Sequence, residues 1–264
     1  MALARRCVST SIKLIPAPHE EKFSGLVSEY LLKEDCLHLG LELPREVEVH
    51  FNDYARGKRS YEELRRILLG GEVISPHFEE GYRPLFKVLP KLYEKNREFN
   101  IHCYEEFDRY NDWVFRRDEL ALGLLTSEDF DVLADLYEGL VKETVKRNEA
   151  VAERIRALAE ASGTDLHVVI GRLHAPDVAK RLREKFEVEE IVLEDLCLTP
   201  LDGSIILRLK GFTFSSKERS EFLRRHRELA KEAEGKGRSI TALLRDGEMK
   251  RKYLLRRYSD LAAR

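Results

Sequence analysis

Short apolar segments alternate with amphipathic segments along most of this chain, and this alternation limits its fold more than any other feature. Residues 11–16 (SIKLIP) and 37–43 have strand character, the second with a leucine at every other position. Residues 20–34, between them, carry apolar side chains at helical spacing. Strands separated by helices favour βα units. We therefore predict an α/β fold with a mostly parallel central sheet and helices on both of its faces.

The remaining elements follow from the same two periodicities. Further helices are predicted at residues 46–56, 60–69 and 82–96, with the segment GGEVISPHFEEG as a loop. A strand is expected at 99–106 and a long helix from Thr126 or Ser127 to about residue 162. A strand at 165–170, a helix at 177–186 and a strand at 188–195 form another βαβ unit. Residues 200–211 are expected to supply one more strand after the Asp202-Gly203 turn.

The charge of the chain is divided unevenly. Residues 217–264 contain 15 lysines and arginines against 8 acids, a net charge of +7, which leaves −9 for residues 1–216. Two basic helices are predicted there, at 216–234 and 239–262. We therefore expect an α/β domain over residues 1–212 and a basic helical extension over 213–264 that packs on it or is tethered to it.

The basic extension allows two interpretations. Clustered cations are typical of phosphate contacts, so a nucleic-acid partner is one hypothesis. The residues that would make those contacts are Arg224, Arg225, Lys250, Arg251, Arg256 and Arg257. The acids interspersed among them favour the other interpretation, a solvated helix pair that docks on the acidic body.

Composition bounds the class of protein. The four cysteines, at positions 7, 36, 103 and 197, show no C-x-x-C pair and no regular zinc spacing, which predicts reduced thiols and a cytoplasmic location. We expect no signal peptide and no membrane span, because no apolar segment of the required length occurs. Charged residues make up 36 % of the chain and glutamine is absent. This resembles the composition of heat-adapted, thermophilic proteins.

Polar side chains stand where three of the predicted strands end. His19 follows the first strand in the sequence PAPH, Glu42 ends the second, and His174 follows a later strand in GRLH. Ligands of open α/β sheets bind at the carboxyl ends of strands, so these side chains are expected to meet there. Two imidazoles and a carboxylate suit a divalent metal ion with open positions. Without a metal, the same groups can act as general base and acid.

Polar residues also interrupt the apolar stripe of the long predicted helix. Arg147 and Asn148 lie on the same side as its apolar residues, and polar groups that become buried must be paired. We interpret Arg147 as a group that binds an anion or a developing oxyanion, with Asn148 beside it as a ligand-binding hydrogen-bond partner. Gly171 completes the predicted ligand-binding residues, because it lets the chain turn sharply before His174.

The order of these features resembles a known superfamily. The segments PHEEKFSGLVSEYLL, LGLELPREVEVHFNDYARGKRSYEELRRIL and GYRPLFKVLPKLYEKNREFNIHCYEE are followed by RNEAVAERI and VVIGRLHAPDVAKRL. Together they resemble the superfamily of erythromycin esterases, ChaN-type haem-binding proteins, TraB/PrgY proteins and Tiki metalloproteases, most of all its ChaN-like branch. The resemblance covers about residues 10–195.

The resemblance implies a hydrolytic or metal-linked site. By position, His19 matches the first motif histidine, Glu42 the strand-end glutamate, Arg147 the helix arginine and His174 the second motif histidine. Pro16-Ala17-Pro18 stands where the family has Gly-Glu before its histidine, so one carboxylate of the pattern is missing. Two further groups offer substitute ligands: His77, Glu79 and Glu80 in SPHFEEGY, and His102, Cys103 and Glu105 in FNIHCYEE.

Two functions follow as expectations. The first is a hydrolase of ester, amide or peptide bonds, with His19, Glu42 and His174 holding a metal ion or the reacting water and Arg147 steadying negative charge. The second is a non-catalytic protein of the same fold that binds a metal ion, haem or a small anion. Haem ligands cannot be located from the sequence alone.

Overall fold

The computed structural model describes residues 10–194, 198–238, 240–244 and 253. Its strands are β1 (Ser11–Ala17), β2 (His38–Pro44), β3 (Asn100–Glu105), β4 (Leu166–Gly171) and β5 (Glu187–Glu190). Its helices are α1 (Glu21–Lys33), α2 (Glu48–Ala55), α3 (Tyr61–Gly70), α4 (Pro76–Lys95), α5 (Phe107–Thr126), α6 (Phe130–Ser162), α7 (Ala175–Leu182), α8 (Pro200–Leu209), α9 (Ser216–Gly235) and α10 (Ile240–Leu244). One 3₁₀ turn, Arg45–Val47, follows β2.

The five strands form one sheet in the order β3-β2-β4-β1-β5, and every pair within it is parallel. The predicted α/β fold with a parallel sheet is therefore confirmed. Side chains alternate between the faces of each strand. Leu39, Leu41 and Ile101 pack with α1 to α4 on one face, whereas Ile12, Leu14 and Val168 pack with α6 and α7 on the other. Helices thus cover both faces, as the alternation of elements predicts.

The edge strand β3 is closed by side chains of α2. Asn52 accepts a hydrogen bond from the Ile101 N–H at 3.0 Å and donates one to the Ile101 carbonyl at 2.8 Å. The Glu48 carboxylate accepts from the Cys103 N–H at 2.8 Å. An edge strand left open would present these backbone groups to another chain. Helix α2 therefore satisfies the edge and fixes the strand beside β2.

Pro16 lies within β1, where a missing N–H could break the sheet. The carbonyl of Leu14 accepts a hydrogen bond from the Ile191 N–H at 2.7 Å, so alternate residues of β1 direct their backbone groups toward β5. Strand β5 ends at Glu190, before it reaches the level of Pro16. The proline is therefore placed where no neighbouring strand needs its N–H.

Three segments differ from the sequence predictions. The strand expected within residues 200–211 is wrong: residues Pro200–Leu209 form α8, because Thr199 caps it by accepting from the Asp202 N–H at 3.0 Å. The expected loop before residue 82 is also wrong in part, since α4 begins at Pro76 with Ser75 as its cap. Helix α5 has no counterpart among the predicted elements. The second basic helix, expected at 239–262, falls largely outside the described residues.

The chain divides into two compact units. The first contains residues 1–110 and 148–193, and the second contains residues 111–147 and 194–264. The first unit holds the whole sheet, and helix α6 contributes its residues up to Arg147 to the second unit and the rest to the first. The predicted boundary after residue 212 falls in the loop between α8 and α9, and whether residues 213–264 are a separate extension stays a prediction. In the described part of the chain, no helix is both long and apolar enough to cross a membrane.

Candidate functional site

Three of the predicted site residues meet at the carboxyl ends of β1, β2 and β4. The His19 Nε2 atom lies 3.6 Å from Glu42 Oε2, and His174 Nε2 lies 4.0 Å from Glu42 Oε1. Glu42 is therefore the centre of the group, with one imidazole on each side. Strand order explains this, because β4 lies between β2 and β1 and brings the three strand ends together. The strand-end placement predicted by the sequence is what the structure has.

The Glu42 carboxylate is buried, with 2 % of the residue exposed, and a backbone group holds it. Its Oε2 atom accepts a hydrogen bond of 2.5 Å from the Gly171 N–H. A Cβ atom on residue 171 would lie only 3.0 Å from that oxygen and 3.3 Å from the other. Glycine is needed there for space, whereas the sequence predicted it for a sharp turn; its φ is not positive. Gly171 thus brings β4 close enough to donate directly to the carboxylate.

His19 is the most accessible of the three, with 33 % of its side chain exposed. Its ring packs against Phe78 at 4.5 Å and Tyr82 at 5.2 Å between centroids, both on the first turns of α4. Its Nε2 atom is buried and has no hydrogen-bond partner, so this nitrogen faces Glu42 while the accessible part of the ring lies elsewhere. Helix α4 approaches closely because residue 81 is glycine: a Cβ atom there would overlap the His19 carbonyl.

His174 is buried and held through its other ring nitrogen. It lies in the turn between β4 and α7, where its backbone N–H donates to the Gly171 carbonyl at 2.9 Å. Its Nδ1 atom is 2.7 Å from the Asn148 side-chain oxygen. The Asn148 amide nitrogen donates to Asp177 at 3.1 Å, and Arg181 donates to the same Asp177 oxygen at 3.0 Å. The predicted ligand-binding residue Asn148 is therefore joined to His174 and not placed as an isolated polar group.

Asp177 is the member of this network that the sequence interpretation missed. It stands three residues after His174, so both side chains lie on one face at the start of α7. The signal was present as H-x-x-D, but a carboxylate in the first turn of a helix is usually explained by the helix dipole alone.

Arg147 belongs to the second unit. It is 2 % exposed, and its guanidinium lies 4.6 Å from the centre of the Trp113 ring. The Trp113 N–H donates to Thr144 Oγ1 at 3.0 Å, which fixes the ring one helical turn before Arg147 on α6. The burial of this cation agrees with the sequence argument that a charge in an apolar stripe must be paired. Its action on a ligand stays a prediction.

The metal-ion hypothesis can be compared with this geometry. Among residues 10–194, 198–238, 240–244 and 253, no three histidine, cysteine, aspartate or glutamate side chains are arranged to hold a metal ion. His19 and His174 each approach Glu42, but one Glu42 oxygen is already held by the Gly171 N–H. The three residues do not form a ready metal site as placed. The metal ion therefore stays a prediction, as does haem, and no chemical step below depends on either.

The substitute ligands in α4 are not part of this group. Glu79 is 1 % exposed and accepts hydrogen bonds from Tyr61 at 2.5 Å and from Arg83 at 2.8 Å. The Arg83 guanidinium, with Tyr61 and Arg65, lowers the pKa of Glu79 to about 2 against the burial that raises it. Glu79 therefore joins α3 to α4 as a structural carboxylate. His77 and Glu80 are exposed.

The substitute ligands in β3 are dispersed. His102 Nε2 lies 3.0 Å from His38 Nδ1, so these two imidazoles share a hydrogen bond across β2 and β3. Burial raises the pKa of the Cys103 thiol well above its usual value, which disfavours the thiolate that a metal ion needs. Glu105 is buried at the carboxyl end of β3, in register with Pro44. Glu105 is therefore the one member that shares the sheet edge with Glu42.

A cavity of about 620 Å³ opens at the same edge of the sheet. Its lining comes from the 3₁₀ turn after β2 and from the start of α5 after β3, namely Arg45, Glu46, Glu106, Phe107 and Asp108. A cavity of this size fits a small molecule or a few residues of a peptide. The edge that holds Glu42 is therefore also the edge that offers space for a ligand.

The basic extension is partly neutralised where the structure describes it. On α9, Arg224 pairs with Glu221 at 2.7 Å and with Glu228 at 2.5 Å, and Arg225 pairs with Glu221 at 2.5 Å. Intrahelical pairs of this kind leave less charge for phosphate contacts. Lys250, Arg251, Arg256 and Arg257 lie outside the described residues, so nucleic-acid binding stays a prediction.

Comparison with protein-family models, curated proteins and solved structures gives no match for this chain. The resemblance to the erythromycin esterase, ChaN, TraB and Tiki superfamily therefore rests on the sequence motifs alone.

Proposed function

We propose that this protein is a hydrolase of ester, amide or peptide bonds whose reacting groups are His19 and Glu42. The observation that supports this most directly is the buried Glu42 carboxylate, held by the Gly171 N–H and facing the buried Nε2 atom of His19 at 3.6 Å. A base that is itself oriented by a carboxylate is the arrangement by which many enzymes activate a nucleophile.

In the proposed reaction, a water molecule attacks the carbonyl carbon of the substrate. The Nδ1 atom of His19, the ring nitrogen that does not face Glu42, takes a proton from this water as the new C–O bond forms. The Glu42 carboxylate, next to Nε2, stabilises the imidazolium that results. When the tetrahedral intermediate collapses, the bond to the leaving group breaks and His19 returns the proton to that group. The products are a carboxylic acid and an alcohol or amine.

Other residues of the first unit have supporting roles in this proposal. His174 lies on the opposite side of Glu42 from His19. Its Nε2 atom faces Glu42 Oε1, and in this proposal the imidazole controls the proton that it shares with the carboxylate. The cavity lined by Arg45 and Phe107 accommodates the part of the substrate that does not react.

The test uses p-nitrophenyl acetate, p-nitrophenyl butyrate and fluorescein-labelled casein. The Glu42→Gln and His19→Asn variants are expected to lower kcat/KM by roughly 100-fold or more, because general-base catalysis contributes about this factor. His77→Asn is the matched control, since His77 is an exposed histidine on α4. Activity on none of these substrates, or equal activity in all three variants, would overturn the proposal.

Metal content, measured by mass spectrometry on the same proteins, tests the metal-dependent form of the reaction. A stoichiometric metal ion that disappears in His19→Asn supports it. A metal-free wild-type enzyme with full activity contradicts that form but leaves the general-base reaction standing.

A further inference from the structure

The hydrogen bonds behind His174 have a fixed direction. An ionised carboxylate only accepts hydrogen bonds, so Asp177 Oδ2 must receive the Asn148 amide N–H at 3.1 Å. This places the Asn148 oxygen, and not its nitrogen, 2.7 Å from His174 Nδ1. An amide oxygen also only accepts, so Nδ1 must carry the hydrogen. The chain of acceptors and donors therefore determines which ring nitrogen is protonated.

The network is also buried, and each of its members is held by a neighbour. Asn148 is fully buried, and His174 and Asp177 are 4 % and 8 % exposed. Asn148 comes from α6, whereas the other two residues stand one helical turn apart at the start of α7. Arg181 fixes Asp177 from the next turn at 3.0 Å and is itself held by Glu149 at 3.0 Å. Buried groups joined in this way do not exchange partners without losing a hydrogen bond.

We propose that Asn148 and Asp177 are positioning residues that hold His174 with Nδ1 protonated and with Nε2 facing Glu42. Neither residue contacts the substrate; both act through the imidazole. Nε2 is the nitrogen that lies 4.0 Å from Glu42 Oε1, so the network fixes which edge of the ring faces the carboxylate. Groups that hydrogen-bond to one ring nitrogen of a functional histidine fix the tautomer of the ring in the same way.

The role of this tautomer in catalysis rests on the proposed hydrolase function, but the tautomer itself does not. The test is two-dimensional NMR of the full chain labelled with ¹⁵N-histidine, which distinguishes protonated from unprotonated ring nitrogens. His174→Asn assigns the signals. In the wild-type protein, Nδ1 is expected to stay protonated from pH 5 to pH 9, with the Nδ1–H tautomer favoured at least about tenfold, because the alternative tautomer turns the lone pair of Nδ1 toward the buried oxygen of Asn148.

Variants separate positioning from packing. Asp177→Ala and Asn148→Ala are expected to reduce the ratio of the two tautomers to about one. Asp177→Asn should retain the wild-type tautomer, because its amide oxygen can accept from both Asn148 and Arg181. Glu149→Ala is the matched control: it removes the exposed partner of Arg181 and leaves the hydrogen bond to Asp177.

A wild-type His174 that is protonated at Nε2 and not at Nδ1 would overturn the proposal, and this measurement requires no variant to fold. Retention of the wild-type tautomer in folded Asp177→Ala and Asn148→Ala would overturn it as well. A protonated Nδ1 in a protein that hydrolyses none of the substrates would leave the positioning network in place and contradict only the proposed hydrolase.

Discussion

His167 is a buried histidine of β4, and its two ring nitrogens have no hydrogen-bond partner. The residue is 1 % exposed, and the Glu34 carboxylate lies 3.9 Å from Nε2. Burial, together with the nearby Lys13 ammonium, lowers the pKa of His167 to about 4, although Glu34 opposes the shift. The folded protein therefore keeps this imidazole neutral at a pH where the unfolded chain protonates it.

This difference predicts an acid-sensitive stability. A histidine whose pKa is lower in the folded state contributes its full stability above the unfolded pKa of about 6.5 and loses it as the pH falls toward the folded pKa. Between pH 7.5 and pH 4.5, His167 is expected to cost the wild-type protein about 2 to 3 kcal/mol of unfolding free energy. When urea denaturation is compared at the two pH values, the unfolding free energy of the His167→Leu variant should fall less than that of the wild-type protein, by this amount.

The pH range from 7.5 to 4.5 separates the titration of His167 from the titration of its neighbours. The hydrogen bond from Lys13 lowers the pKa of Glu34, so that carboxyl group titrates below its usual value of 4.5. His38 and His102, whose pKa values are also lowered by burial, are the same in both proteins and cancel in the difference. Parallel pH dependence of the wild-type and variant proteins would contradict the prediction.

At the same scale, the sequence located single site residues better than it explained them. His19, Glu42 and His174 could be placed because a strand end can be read from a periodic pattern. The network behind His174 could not, because the Asn148 amide pairs with residues 26 and 29 positions away. The sequence also could not show why residue 171 is glycine, because the Glu42 carboxylate that it approaches lies 129 positions away in the chain.

Elements with one clear periodicity could be predicted, and elements whose signals conflict could not. Strands β1 to β4 and the long helix α6 were predicted because apolar residues recur at periods near two and near 3.6. The segment PLDGSIILRL was interpreted as a strand because Asp-Gly suggested a turn and isoleucines suggested β structure. The preceding Thr199-Pro200 is a helix start, and its capping box, with Asp202, decided the outcome.

The start of α4 matters for the site, because its first turns surround His19. Gly81 permits this, since a Cβ atom at residue 81 would overlap the carbonyl group of His19. The Ser24 hydroxyl also donates to the Gly81 carbonyl at 2.5 Å, so α1 and α4 are joined at the same point. Helix α4 therefore positions the histidine as well as covering the sheet.

Gly81→Ala is expected to destabilise the protein by about 1 to 3 kcal/mol, because a backbone group and not a flexible side chain must move. The displacement should also lower the activity on p-nitrophenyl esters. Gly25→Ala in α1 is the matched control: nothing lies within 4 Å of a Cβ atom there. Alanine in a helix interior favours folding by about 0.5 to 1 kcal/mol, so the two variants should shift urea midpoints in opposite directions. Equal shifts would contradict the close approach.

At the scale of the whole molecule, the sequence predicted the sheet but not how the chain is divided. The fold class followed from alternating elements, which is a local property. The two compact units are each assembled from two separate stretches of chain, and the division passes between Arg147 and Asn148 inside one helix. Contacts between distant stretches decide such a division, whereas composition indicates only where charge changes.

Within the second unit, α9 is packed and not merely attached. Its Phe222 and Leu223 are buried, and the Phe222 ring contacts Phe214 at 5.0 Å between centroids. Arg219 on α9 and Arg208 on α8 both bind Glu138, at 3.0 and 2.9 Å. Leu229 joins α10 in an apolar cluster. A cut between α8 and α9 would remove all of these contacts from the unit except the ion pair between Arg208 and Glu138.

A fragment of residues 1–212 is therefore expected to lose stability and to expose apolar surface. Its Tm should fall by about 10 °C or more. The fragment loses several kcal/mol of packing, and each kcal/mol lowers the Tm of a protein of this size by roughly 2 to 4 °C. It should also bind the dye ANS, which the full chain should not. Arg219→Ala in the full chain removes one half-exposed ion pair and should change Tm by no more than a few degrees. A fragment that keeps the Tm of the full chain and binds no dye would instead show that residues 213–264 are a separate extension, because a tethered segment contributes no packing to the rest.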